Sequence, residues 1–216
     1  AVETFEEIGE RHEIAQSLDA IGAIYFSKDD NDNALEYFYR SLKIDEEIDD
    51  KGEMGWAYNE IGNVYRKKGD IDKALYYYSN SLEIDEELNS EIGKGIMFLN
   101  IGNAYIDKGN YDKALEYCIR SFEISSKLEH EEIVSINLQN IGIIYANKGD
   151  YKKAEEHLEK CLSIKKEIEL GADELLETSI NLYLIYKHLG KQYDENNIHT
   201  LIKETENIEF EINLRL

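Results

Sequence analysis

The five histidines, His12, His130, His157, His188 and His199, come first, because imidazole is the common metal ligand and proton carrier at neutral pH. None belongs to an H-E-x-x-H pair, the spacing that sets two imidazoles and a general base on one helical face. Only His188 and His199 stand close enough in the chain to meet across a single hairpin. The run Asp29-Asp30-Asn31-Asp32-Asn33 has the oxygen-rich character of a calcium loop, but it lacks the central glycine and the spaced glutamate. Acid runs such as Asp45-Glu46-Glu47 and Asp85-Glu86-Glu87 recur 40 residues apart, as a solvated helix face does, and are no sign of paired acid–base catalysts. There is no G-x-S-x-G elbow and no phosphate-cradling G-x-x-x-x-G-K. Cys118 and Cys161 form no CxxC and read as reduced, buried, small hydrophobes of a reducing compartment. The expectation is a chain with no catalytic residue, no metal and no cofactor.

Composition narrows the class further. Hydrophobic residues make up 42% of 216, enough for a core, and proline is absent, which favours uninterrupted helix. Net charge is −22 with a pI near 4.6, so phosphate backbones and anionic lipid surfaces are repelled and neither nucleic acid nor membrane is an expected partner. No stretch nears the roughly 20 apolar residues of a membrane span. The first ten residues hold four acids and no basic residue, unlike a signal peptide, and a cytoplasmic location is expected. The chain begins with Ala, which suggests a natural N-terminus elsewhere.

The elements that would carry any site emerge from a repeat. Ile-Gly recurs at residues 21–22, 61–62, 101–102 and 141–142, always 40 apart, and a tyrosine follows three residues later at Tyr25, Tyr65, Tyr105 and Tyr145. Ala34, Ala74, Ala114 and Ala154 mark a second small position, each followed four residues on by Phe38, Tyr78, Cys118 or Leu158. Apolar residues step by three and four within each unit, so two amphipathic helices are expected per repeat. Lys-Gly-Asp or Lys-Gly-Asn separates them, with Gly ending one helix and Asp or Asn capping the next. The five-residue acidic run at 29–33 falls where this turn belongs, and is expected to be a variant of it. Glycine inside a helix costs about 1 kcal/mol against Ala, so close approach of the second helix at the paired Ala is the expected compensation. A fifth copy, shifted by one residue, has Tyr183 for the Gly and Asn196 for the Ala, which predicts a looser, wider hairpin.

This Leu/Tyr/Phe-x2-Ile-Gly-x2-Tyr…Ala-x3-Phe/Tyr pattern resembles the tetratricopeptide repeat over nearly the whole chain. Its period of 40 instead of 34, and the missing proline after the second helix, imply longer helices, as in arrays of Pins-like adaptors and bacterial signalling proteins. The resemblance implies an all-α fold, a right-handed α-solenoid of stacked antiparallel hairpins forming one domain. Its parts are 1–9 as the end of a truncated preceding repeat; repeats at 10–49, 50–89, 90–129, 130–170 and a degenerate 171–208; and 209–216 as the start of a further helix. Neither end carries a polar cap, so a piece of a longer protein is expected.

In that family the first helices line a concave groove. Carried over, the groove positions are Gln16, Asp19 and Ala23; Trp56, Asn59, Asn63, Arg66 and Lys67; Ile96, Leu99, Asn100, Asn103 and Asp107; Ile136, Gln139, Asn140, Ile143 and Asn147; and Ile180, Asn181, Leu184 and Lys187. Amide side chains can pair with a peptide backbone without demanding charge, though the same groups can instead bond helix to helix. Trp56, Ile96 and Ile136 are equivalent positions for apolar anchors, or for burial against neighbouring hairpins. The basic residues with which the chaperone-binding subset grips a terminal carboxylate are replaced by Asp19, Asn59, Ile96 and Asn100. The resemblance thus implies a non-catalytic scaffold that takes a protein or peptide ligand, as the sensor or adaptor region of a larger signalling protein. A peptide-pheromone receptor of the Rap type is a narrower form. The alternative is a structural module that self-associates through its terminal repeats.

Overall fold

The structure is a computed structural model that describes residues 5–205, so the expectations for residues 1–4 and 209–216 lie outside the described residues. Within them the chain is all-α: ten helices and no strand. It divides into two compact units, the first ending at Gly109 and the second beginning at Asn110.

Unit 1 holds α1 (Phe5–Ser27), α2 (Asn31–Ile48), α3 (Lys51–Lys67), α4 (Ile71–Glu87) and α5 (Glu91–Asp107), each packed on the next. Unit 2 holds α6 (Tyr111–Lys127), α7 (Glu131–Asn147), α8 (Tyr151–Glu167), α9 (Ala172–Leu189) and α10 (Glu195–Thr205), again packed in sequence. Each unit is therefore built of consecutive antiparallel hairpins, the α-solenoid construction that the repeat implies. Helix α1 runs unbroken from Phe5, so residues 5–9 belong to the first helix and do not form a separate one ending before residue 10.

The helix ends follow from local chemistry. Gly69, Gly109 and Gly149 sit at φ 73–80°, the left-handed region that closes a helix, and Asp70, Asn110 and Asp150 then accept the backbone N–H three residues on. The acidic run at 29–33 makes the same turn. Asp29 takes the glycine's place at φ 63°, and Asp30 caps α2 by accepting from Asn33. The opposite turns place Asp49, Asn89, Glu129 and Glu169 at φ 54–56°. Asn and Asp tolerate this region; glutamate has no short side chain to relieve it. Glu129→Gly and Glu169→Gly are each expected to raise stability by about 0.5–1 kcal/mol, relief of left-handed strain outweighing the greater freedom of glycine in the unfolded chain, readable as a higher urea midpoint.

The in-helix glycines make room for something other than the expected alanine. A Cβ on Gly22 would stand 2.7 Å from the Phe38 ring, one on Gly62 2.6 Å from the Tyr78 ring, and one on Gly142 2.7 Å from Leu158. The large side chain four residues beyond each Ala fills the glycine notch; Ala34 and Ala74 are simply buried, while at Gly142 the Ala154 carbonyl also approaches, to 3.4 Å. Phe38 and Tyr78 are fully enclosed, a burial worth roughly 1.5–3 kcal/mol for a side chain of this kind.

The last hairpin has a longer turn and a different register. Residues 190–194 separate α9 from α10, against three residues in the other first-to-second-helix turns. The extra length moves Asn196 out to solvent and puts Ile198 where the Ala would be. Ile198, Leu201 and Ile202 close on Leu176, with Tyr183 and Tyr193 packed alongside.

A ladder of ion pairs runs between successive hairpins. Lys68 reaches Asp32, Lys108 reaches Asp72 at 2.6 Å, and Lys148 reaches Asp112, each 36 residues apart. Exposed pairs of this kind contribute little singly, roughly 0–1 kcal/mol, so they serve registration more than stability.

Candidate functional site

In unit 1 the predicted groove positions on α3 and α5 converge. A pocket of about 490 Å³ is lined by Phe26, Asn63, Arg66, Lys67 and Asp107. Arg66 donates from Nε to Asp107 Oδ2 at 2.6 Å. Lys67 pairs with Asp29 at 2.5 Å, donates to the Phe26 carbonyl at 3.2 Å and lies over the Phe26 ring. Asn63 accepts from the Tyr78 hydroxyl at 2.8 Å and donates to Glu60 at 3.2 Å. Asn59 donates to Glu60 at 2.8 Å and accepts from Asn100 at 2.7 Å. These amides thus tie helices and hold a carboxylate, the helix-to-helix use left open by the sequence.

Glu60 was missing from the predicted set. Burial raises its pKa while the two amides act against the rise. It occupies the row of Ala20, Asn100 and Asn140, and being the charged member of that row was the available signal. Trp56 is 40% exposed and meets Phe38 edge-on at 5.8 Å, while Ile96, Asn100 and Asn103 are half-buried.

Two predicted groove residues of unit 1 belong to its interior. Leu99 is buried among the core side chains. Asp19 is buried beside Ser41 and Asp45, and an oxygen of each carboxyl, Asp19 Oδ1 and Asp45 Oδ1, has no hydrogen-bond partner. Burial, reinforced by Asp45, Glu53 and Glu60, lifts Asp19 to about 7 against the Ser41 hydrogen bond. Burial with Glu53 and Asp50 lifts Asp45 to about 6, opposed by His12 and Ser41.

In unit 2 a 250 Å³ pocket brings together the predicted Ile143, Asn147, Asn181 and Leu184 with Tyr151, Leu158 and His188. Asn147 accepts from the Tyr111 hydroxyl at 3.1 Å and donates to the Ile143 carbonyl at 2.9 Å. His188 stacks on Tyr151 with ring centroids 4.5 Å apart. Ile136 and Asn140 are half-buried nearby in sequence on α7. Gln139, by contrast, is buried, and its Oε1 accepts from Thr178 at 2.6 Å and from the ammonium of Lys165 at 2.7 Å. Lys165 also donates to Thr178 and to the Glu174 carbonyl, both at 3.0 Å, so this buried cation is held by neutral oxygens. Such a node joins α7, α8 and α9.

Both thiols are buried and free; desolvation pushes Cys118 up to about 12 and raises Cys161 too, which keeps them protonated. Among the described residues no group of three or more His, Cys, Asp or Glu is placed to hold a metal, and no helix is long and apolar enough to cross a membrane. What the geometry presents is a set of half-open, mixed polar and apolar faces on the first helices.

The tetratricopeptide repeat family model matches residues 1–88 and 95–167. No curated protein matches. Among solved structures, BtubC from P. vanneervenii is similar with a TM-score of 0.75 and 20% identity, over 94% of this chain and 82% of that one. The apo form of RapI gives 0.80 and 20%, over 91% and 73%. A Rap protein complexed with Competence and Sporulation Factor gives 0.78 and 20%, over 92% of this chain and 57% of that one. At these identities the structures speak for the fold, and the family match covers most of the sequence: the chain belongs to the tetratricopeptide repeat family.

Proposed function

We propose that this chain is a non-catalytic binding scaffold that takes a protein or peptide segment along its first-helix faces, as the sensor or adaptor region of a larger cytoplasmic signalling protein. The supporting observation is the pocket of Phe26, Asn63, Arg66, Lys67 and Asp107. It sets an aromatic wall, an amide and two side-chain cations beside one another, a mixture that recognises peptide backbone and side chain together. Half-exposed Trp56 supplies an anchor surface on the same helix. A similar fold has been solved with a bound factor, which favours a ligand on this one. Protonated, buried thiols accord with a reducing compartment.

Selection from a random peptide library against the purified chain tests this reading. Selected peptides are expected to lose at least tenfold in affinity for an Asn63→Ala/Arg66→Ala variant whose helix content is unchanged, about 1.4 kcal/mol or more. A library that yields no binder, or binders indifferent to both substitutions, would reject it.

End-on self-association is favoured by one observation. Ile14, Ile21 and Ile24 on α1 are 52%, 36% and 52% exposed, whereas the equivalent Ile61 and Val64 on α3 are fully buried. Light scattering across a concentration series should then show dimers for the native chain and monomers for Ile21→Glu/Ile24→Glu. Monomers throughout would dismiss it.

A further inference from the structure

A groove between two successive second helices in unit 1 has a counterpart in unit 2, with residues offset by 80. In unit 1 it lies between α2 and α4 over α3 and is filled by phenol rings. Tyr65 stacks on Tyr77 at 5.5 Å, and Tyr58 and Tyr39 each flank Tyr77 at 6.2 Å. Their polar ends are joined: the Tyr39 hydroxyl bonds those of Tyr77 at 2.7 Å and Tyr65 at 3.1 Å. In unit 2, between α6 and α8 over α7, Tyr145 remains, but Ile119, Leu138 and His157 stand where Tyr39, Tyr58 and Tyr77 would be. Three phenol rings are gone, one of them replaced by an imidazole, Phe122 stands where Leu42 would be, and a groove of about 610 Å³ lies there with an apolar floor of Val134, Leu138 and Ile141.

We infer that this unit 2 groove is a binding site for a tyrosine side chain presented by a partner segment. The shape argument is internal, since the same helical frame in unit 1 is packed with tyrosine. The polar argument is chemical complementarity. His157 Nδ1 lies 2.8 Å from the Lys153 carbonyl, which can only accept, so Nδ1 donates there and, in the neutral tautomer this contact selects, Nε2 offers a lone pair to a phenol O–H. The Tyr145 hydroxyl, whose counterpart Tyr65 is bonded in unit 1, makes no hydrogen bond among the described residues and is left to donate to the phenol oxygen. Ile119, 39% exposed on one wall, gives the ring an apolar face to cover. This site uses a different side of α7 from the groove positions Ile136, Asn140 and Ile143, and does not depend on them.

The test uses p-cresol, the tyrosine side chain without its backbone, titrated into the whole chain and followed by NMR. Saturable shifts are expected at Ile119, Leu138, Tyr145 and His157, with 4-methylcyclohexanol binding at least tenfold more weakly because it lacks the planar ring. Ile119→Tyr/Leu138→Tyr/His157→Tyr, which rebuilds the filling of unit 1, is expected to weaken p-cresol binding at least tenfold and to raise Tm. If that triple variant does not fold, Ile119→Tyr alone serves and is expected to weaken binding severalfold. No saturable shift, equal binding of the saturated alcohol, or undiminished binding by the folded filled variant overturns the assignment.

Discussion

Gly62→Ala is expected to lower the stability of unit 1 by up to about 2 kcal/mol, whereas the same change made in a Tyr78→Ala background should raise it by about 1 kcal/mol. The reversal follows from what occupies the notch. An alanine methyl would stand 2.6 Å from a Tyr78 ring carbon, well inside contact distance, and that ring is fully buried with no free direction to retreat. Overpacking costs about 1–3 kcal/mol, against which better helix propensity returns about 1. Once the ring is removed, itself a loss of about 3–5 kcal/mol, only the propensity gain is left. Urea unfolding of the four proteins in the cycle measures this. A Gly62→Ala penalty unchanged by loss of the ring would mean that backbone, and not Tyr78, fills the space.

Unit 1 should also lose stability as pH rises from about 4 to above 7 by an amount that vanishes in Asp19→Asn/Asp45→Asn. Both carboxyls have folded-state values above their unfolded value of 3.8, at about 7 and about 6. The folded state therefore holds more protons than the unfolded one between these limits. Their contribution is complete below about pH 4 and disappears as pH passes through 6 and 7. The charged groups around them are Glu53, Glu60 and Asp50, all repelling, with His12 the opposing one. A tenfold gain in proton affinity on folding is worth about 1.4 kcal/mol, and the two sites repel each other, so a difference on the order of 2–4 kcal/mol between pH 4 and pH 8 is expected. The neutral amides should leave the chain more stable than the native one at pH 8. Parallel pH profiles for native and double-amide chains would refute this reading.

The hairpins were legible because a small residue, a tyrosine and an alanine return at fixed spacing, and sterics allow few reasons for such a return. What filled the notch was not, since two small residues facing each other look like a contact in sequence; here the ring from Tyr78 or Phe38 lies between. The first-helix faces were legible only as rows. Position 99 or 139 turns inward because neighbouring helices close over it, and whether Gln139 meets a ligand or Lys165 depends on a residue 26 places away. The Lys–Asp rungs were hidden because a spacing of 36 lies beneath one of 40. Ile198 was not foreseeable because a turn two residues longer resets the register, which no count from the previous copy can anticipate.

Trp56 is the one tryptophan in the chain, and it lies in unit 1, partly open to water and edge-on to Phe38. Fluorescence excited at the red edge of indole absorption therefore watches that half of the molecule alone, without a label. A ligand settling on α3 should move its emission toward the blue, while events confined to residues beyond Gly109 should leave the signal flat. That unit carries its own reporter.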